Sequence, residues 1–542
     1  MKFLSALFSF LFVTTIVNAQ FREIAQGPIF KEPEDGYCKI IQLKNGNAAF
    51  LRITDKDGID VKIYDASHKS KAEKHFDPEY GKLKAGSVEA AFAVKENIIL
   101  LISELDDRIP VLYRLIIDGN TGDLKEEKTI AKLDKITFGQ GRAAPDGAVP
   151  ASYFFIRKDP DSDNYALAML NNFQSDGNKR IEIVFYGSDD QEISRAYYES
   201  PGNKYKYMVY IDMAVIGDKK VSVLAHAYNT AASGGKENEL VIANLDAGAN
   251  AVTLDELSFT KDKGITLGIT RYNPITKKLL LLAAEKVDKK SEKYNTFVTY
   301  IDPFERKFEK TTDLYPVKAN DESLRLFGKK ESYTGIPQDL YINNDGSFSI
   351  VYEDVTNTYT SYSSYSNGKY DMRDHGGYYM AFLGNIAVST FDKEGKVIND
   401  YFIPKRQKLV KDYMPPFYIS TREGTAQKLY GGNQFKSFTY LSGVTKNYIL
   451  FNDVAENAES VMKGKITTVW GVGECDGFYF DASGNSVMPA RKYVFGEPDK
   501  HDHNLALFSI SDYNKETNIY VTLKLAKEGR DKGVAVVWMQ PQ

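Results

Sequence analysis

Cysteine is nearly absent from the chain, with two residues in 542, Cys38 and Cys475. Two thiols cannot build a disulfide framework or a cysteine-rich zinc cluster, so burial and hydrogen bonding must hold the fold. They form either one disulfide or two buried free thiols. An excess of one charge is lacking too. Lys and Arg number 69 against 73 Asp and Glu, a formal net charge of -4. Such a balance leaves no electrostatic footprint for nucleic acid or for anionic lipid. After the first twenty residues no apolar run reaches the ~18 residues of a spanning helix. Catalytic signatures are missing as well: no Gly-x-Ser-x-Gly elbow, no phosphate-binding Walker loop, no His-Glu-x-x-His and no calcium-loop spacing. What is present, 43% hydrophobic and 26% charged residues, is an ordinary globular composition.

The N-terminus carries an address. Lys2 supplies one positive charge, Phe3 to Val17 is apolar but for Ser and Thr, and Val17-Asn18-Ala19 places small residues where a signal peptidase cuts. The run is short for a membrane anchor. It predicts a signal peptide over residues 1–19 and one mature domain, 20–542, exported to the periplasm or outside the cell.

One unit recurs along the mature chain: an alternating apolar strand, a turn rich in Asp, Gly, Asn or Ser, then a more polar strand. Copies begin at Val61 (VKIYDASHKSK), Tyr113, Ile181, Leu240, Val298, Val388 and Gly477 (GFYFDASGNSV). Their turn acids are Asp65, Asp118, Asp189, Asp246, Asp302, Asp392 and Asp481. An Asp at such a position bonds the backbone of its own turn, and Gly or Asn accepts positive φ there. Further strands precede these hairpins, among them the nearly continuous apolar runs IILLISEL and KLLLLAAE, which fit strands buried on both sheet faces. The pattern resembles β-propeller repeat proteins across nearly the whole mature chain. It lacks the WD dipeptide and the sialidase box, and its two Trp do not suit the quinoprotein repeat. Seven units fill residues 37 to about 493. LALFSIS, NIYVTLKL and GVAVVWM then supply three strands without a fourth, and Phe21 to Phe30 supplies one strand without a blade. The expectation is an all-β propeller of eight four-stranded blades, with seven as the alternative, closed by pairing of the N-terminal strand with the C-terminal blade.

In such a blade the first and third turns point to one end, and the second turn and the crossing to the next blade point to the other. The first set is short here. Long connections near 134–149, 229–237, 286–293, 356–378, 404–433 and 455–472 fall in the second set, which marks that face as the working surface. The segment Asn357 to Tyr379 stands out, with Tyr359, Tyr362, Tyr365, Tyr370, Tyr378 and Tyr379 set among Ser, Asn and Gly. Tyrosine offers large amphipathic contact area at low entropy cost, so this loop is the candidate contact for a partner. Asp371, Arg373, Asp374 and His375 lie at its end and extend that contact. His501-Asp502-His503 reads as a solvated turn, and His226 as a core histidine. The run Lys405, Arg406, Lys408, Lys411 reads as a solvated connector.

No catalytic residue, metal ligand or cofactor is assigned. The expected role is a non-catalytic binding or scaffold propeller docking to another cell-envelope protein, within an outer-membrane or secretion assembly. The alternative is a carbohydrate-active enzyme, a glycoside hydrolase or lyase, with acids near the central channel and a glycan as its ligand.

Overall fold

The computed structural model describes residues 21–541 apart from 80–85, 137–152, 172–173, 199–203, 232–234, 288–293, 329–331, 367–368, 421–423, 500–502 and 529–530. The expected signal peptide lies outside the described residues. Strands dominate, in eight antiparallel sheets of four principal strands each. Blades 1 to 7 span residues 37–76, 87–132, 153–197, 207–257, 267–314, 336–403 and 439–493. Blade 8 takes three strands from residues 512–540 and its fourth from Arg22–Gln26. The protein is an eight-bladed β-propeller. No described helix is long and apolar enough to cross a membrane.

The apolar second strands explain why blades stack. Along Lys278–Lys286, Leu279, Leu281 and Ala283 enter the core shared with blade 4, while Leu280, Leu282 and Ala284 enter the core shared with blade 6. Side chains alternate across a strand, so a run without polar breaks fills two cores at once. Eight clusters of buried residues occur among the described residues, one per interface between neighbouring blades. The last of them joins Val536 and Leu523 of blade 8 to Ile40 and Phe50 of blade 1. Blade 8 therefore packs on blade 1.

The N-terminal strand completes blade 8. Arg22 faces Gln540 and Gln26 faces Val537, and the pairing runs on through Gly27 and Phe30 to Val536 and Val534. The Phe21 ring packs 4.8 Å from Tyr479 and 5.0 Å from Tyr448 of blade 7. One detail differs from the sequence expectation. LALFSIS is not the first strand of blade 8: Phe508–Ile510 forms a 3-10 turn, and the innermost strand is the three-residue Asp512–Asn514.

Six of the seven turn acids behave as their chemistry predicts. Asp65, for example, accepts from the backbone N–H of Ser67 and Lys69, and Asp302 from Phe304 and Glu305. Asp118, Asp189, Asp392 and Asp481 do the same in their turns. Asp246 differs, placing its carboxylate 3.2 Å from Lys220 Nζ. Both cysteines are free and buried in the core between blades 8 and 1. Burial pushes both thiols up, Cys475 to about 12.

Closure by the N-terminal strand is testable. A chain beginning at Glu32 exposes the Asp531–Gln540 edge and loses the Phe21 contacts, where burial of one Phe alone is worth about 1.5–3 kcal/mol. It is expected to unfold at lower urea and to self-associate on size exclusion, and a peptide of residues 21–30 added in trans should restore both properties.

Candidate functional site

The tyrosine-rich segment is not a loop. Blade 6 extends its second and third strands, Phe348–Ser366 and Lys369–Phe391, into a two-stranded antiparallel ribbon. Its register sets Tyr359 opposite Tyr379, Ser361 opposite Gly377, Tyr362 opposite Gly376 and Tyr365 opposite Tyr370. The absence of aliphatic residues suggests a loop, but Thr and Tyr favour strands. The side chains of Tyr362, Tyr365, Tyr370, Asp371, Arg373, Asp374 and His375 lie outside the described residues, although their backbones run in the two strands.

At the ribbon's foot the side chains are described. Strand Gln407–Val410 pairs with Met380–Leu383 of one ribbon strand, and the Asn357 side chain of the other exchanges two hydrogen bonds with the Met414 backbone. Just beyond this anchor, Tyr359 meets Tyr379 edge-on at 5.1 Å, and Tyr379 meets Tyr413 at 5.2 Å. Tyr359, Tyr379 and Tyr413 are 58%, 47% and 51% exposed, which is unusual for a cluster of three large rings. Tyr378 is half-buried. Gly377 makes room for the cluster, since a Cβ there would run into the Tyr359 ring.

The crossing from blade 6 to blade 7 is the second feature of this face. It does not run directly between neighbours. Phe417 donates to the Pro337 carbonyl and Tyr418 to Gln338, both on the inner strand of blade 6. The Gly424 carbonyl accepts from Ala91 of blade 2, and Gln427–Lys428 adds a fifth strand to the inner edge of blade 1. Blades 6 and 2 stand opposite in an eight-membered ring, so the described parts of this strap bond to opposite sides of it. Its side chains Phe417, Ile419, Ala426 and Leu429 enter four different interblade cores.

A buried polar group locks the strap down. Lys405 Nζ lies 2.5 Å from Glu353, and both side chains are fully inaccessible. Tyr418 donates to the same carboxylate and sits 3.0 Å from Ser437 Oγ. Lys405 also donates to Gln407, whose amide reaches the Asn452 carbonyl. The basic run is thus no solvated connector. Lys408 is buried too, with its ammonium 3.8 Å from the centre of the Trp470 ring, and only Arg406 and Lys411 face water.

Sequence reasoning placed no residue in the central channel. Arg157 of blade 3 pairs with Asp212 of blade 4. Arg271 of blade 5 then bonds Asp212 at 3.0 Å and Asp339 of blade 6 at 2.9 Å. This relay ties together four consecutive inner strands. Asp212 and Asp339 each follow an irregularity in strand pairing, and a bulge re-aims the side chain beside it. Alternating Arg and Asp at matching places on successive inner strands was the available signal. Channel acids are already engaged: Asp212 also accepts from Thr270 N–H, Asp159 from Ser162 and Gly217, and Asp512 from Gln42. Among the described residues no three His, Cys, Asp or Glu side chains gather as a metal site. His226 lies in a core strand, stacked on Tyr228 and 3.4 Å from Asn238, and burial lowers its pKa. His501 and Asp502 lie outside the described residues, and His503 stands 3.6 Å from Asp476.

No family model matches the sequence, and no curated protein matches it either. Among solved structures it is similar to polysaccharide lyase Uly1, at 11% identity over 96% of this chain and 99% of that one, with a TM-score of 0.38. The WD40 domain of SCAP from fission yeast matches at 8% identity over 95% and 98%, TM-score 0.35. The β-propeller domain of the Trilobed protease from Pyrococcus furiosus matches at 9% over 84% and 93%, TM-score 0.33. At such distances none of these carries a function across.

Two measurements probe the buried charges of this face. Lys405→Met leaves Glu353 without its cation and is expected to cost about 3–5 kcal/mol in urea unfolding. Adding Glu353→Leu should return most of that loss, because Tyr418 keeps Ser437. Asp453, buried beside Arg491 at 3.2 Å, has its pKa pushed up to about 6, by burial against the opposing pull of that guanidinium. A raised folded-state pKa gives stability that is present below about pH 4 and lost as the pH rises through 6. Asp453→Asn should flatten that part of the profile of urea midpoint against pH.

Proposed function

We propose that the protein is an exported, non-catalytic binding propeller that docks to another protein of the cell envelope through the ribbon of blade 6. The observation that carries this is the exposed cluster of Tyr359, Tyr379 and Tyr413 at the foot of a ribbon whose two strands are both anchored. Residues that carry interface energy are enriched in tyrosine, and a rigid strand base lowers the entropy cost of presenting them. The ring supplies the platform, and the strap fixes the face around it. The Lys2 charge, apolar run and small residues of 1–19 read as an export signal and support the compartment, and an outer-membrane or secretion assembly is the setting the reading favours.

Glycan hydrolysis draws less support. It needs two carboxylates facing a glycosidic bond, one of them available as an acid. In the channel wall Asp212 spends one oxygen on Arg157 and the other on Arg271, and Asp339 holds Arg271.

The test compares wild type with two variants in co-purification from envelope extracts of the source cell. Tyr359→Ala with Tyr379→Ala removes the cluster. A matched trim removes 362–376 and joins Ser361 to Gly377 by Asn-Gly, which keeps the register of the remaining ribbon. Both variants should keep the wild-type thermal midpoint. A partner retained by wild type and lost at least about tenfold by the double alanine variant supports docking at the cluster. Equal recovery with all three proteins sinks it.

A further inference from the structure

The central channel holds a pocket. Ile419 and Gly424 of the strap line its inner end, whereas its rim is built from the short first turns of the blades, including Asp161, Ile275, Asn344 and Lys515. It therefore opens on the face opposite the ribbon, the face with the short turns. Its volume is about 520 Å³, within the range of about 300–1,000 Å³ typical of small-molecule sites.

Its wall has two halves. Toward blades 3 to 6 stands the Arg157–Asp212–Arg271–Asp339 relay. Toward blades 5 to 8 the wall is hydroxyl, amide and aromatic: Tyr272, Tyr341 and Tyr513 with Asn343, Asn344 and Ser442. Tyr341 is held in place by stacking on Tyr440 at 4.3 Å. The charges balance. Five Lys and Arg line the pocket, against four Asp in the lining and Asp212 behind them. A balanced lining attracts neither anions nor cations, and a charged ligand that broke into the relay would leave one of its partners without its counter-ion.

The ligand that fits both halves is neutral, rich in hydroxyls and flat on one apolar face. Sugars have this form: ring hydroxyls for fixed Arg, Asp, Asn and Ser groups, and a C–H face for tyrosine rings. We propose that the channel pocket binds a neutral glycan segment of one or two sugar units without cleaving it. The site is separate from the ribbon and does not depend on what the ribbon binds.

Isothermal titration of the mature protein with cellobiose, maltose, xylobiose and mannobiose tests this, with digalacturonate and inorganic phosphate as charged probes. At least one neutral disaccharide should bind one-to-one, more tightly than either charged probe. Tyr341→Ala should weaken that binding about tenfold or more. Asn344→Trp, placed on an exposed turn so that folding is spared, should fill the mouth and abolish it. The matched ribbon trim should leave it unchanged. Failure of all four neutral disaccharides to bind overturns the proposal. So does preference for a charged probe, retention of binding in Asn344→Trp, or loss of binding in the ribbon trim.

Discussion

A strand buried on both faces must have a neighbour on both sides, and the rest of this molecule follows from that. The second strands of the blades have almost no polar residues to offer water. Lys278–Lys286 feeds one core with Leu279 and Leu281 and the next with Leu280 and Leu282. A terminal blade with one bare side would expose such a face and an open sheet edge together. The series ends only by meeting its own beginning, which is why one blade holds both the first and the last described strand.

A ring held in this way tolerates polar devices that would be costly in a looser fold. Burying ions gains little stability and can lose some, so the Glu353–Lys405 pair and the channel relay are better understood as positioning elements. The pair fixes where the strap leaves blade 6. The relay fixes the spacing of four inner strands, and its two acids are aimed by strand irregularities. The two faces thereby acquire different characters: one carries the strap and the tyrosine ribbon, and the other carries short turns around an open channel mouth.

The architecture was legible in the sequence because its signals are local. Turn acids such as Asp65 and Asp302 sit within a few residues of the N–H groups they bond, and apolar second strands are contiguous runs. The unmatched strands at the two ends could also be counted. Less legible was whatever depends on distance. Arg157, Asp212, Arg271 and Asp339 pair across 55 to 68 residues, and no window of sequence shows their alignment on successive inner strands. The ribbon reads as a loop because strands are recognised by an apolar stripe, which the run from Asn357 to Tyr379 lacks. Lys405 looked like a surface cation because its partner Glu353 lies fifty-two residues away, in another strand.

The first strand of the protein has consequences for the order in which the molecule assembles. Arg22 and its partner Gln540 are separated by 518 residues. The first strand has no edge to join until the last strand exists, so the eighth blade is completed only once the whole chain is made. Bringing such distant ends together carries the entropy of a very long loop, although that cost grows only slowly with length. In the interval the molecule presents an unpaired edge along Asp531–Gln540 and a loose strand that fits it. A neighbouring copy in the same state offers the same two parts. Crowded nascent chains can therefore exchange first strands and become linked dimers without altering any blade, a form of domain swapping that dilution during folding disfavours.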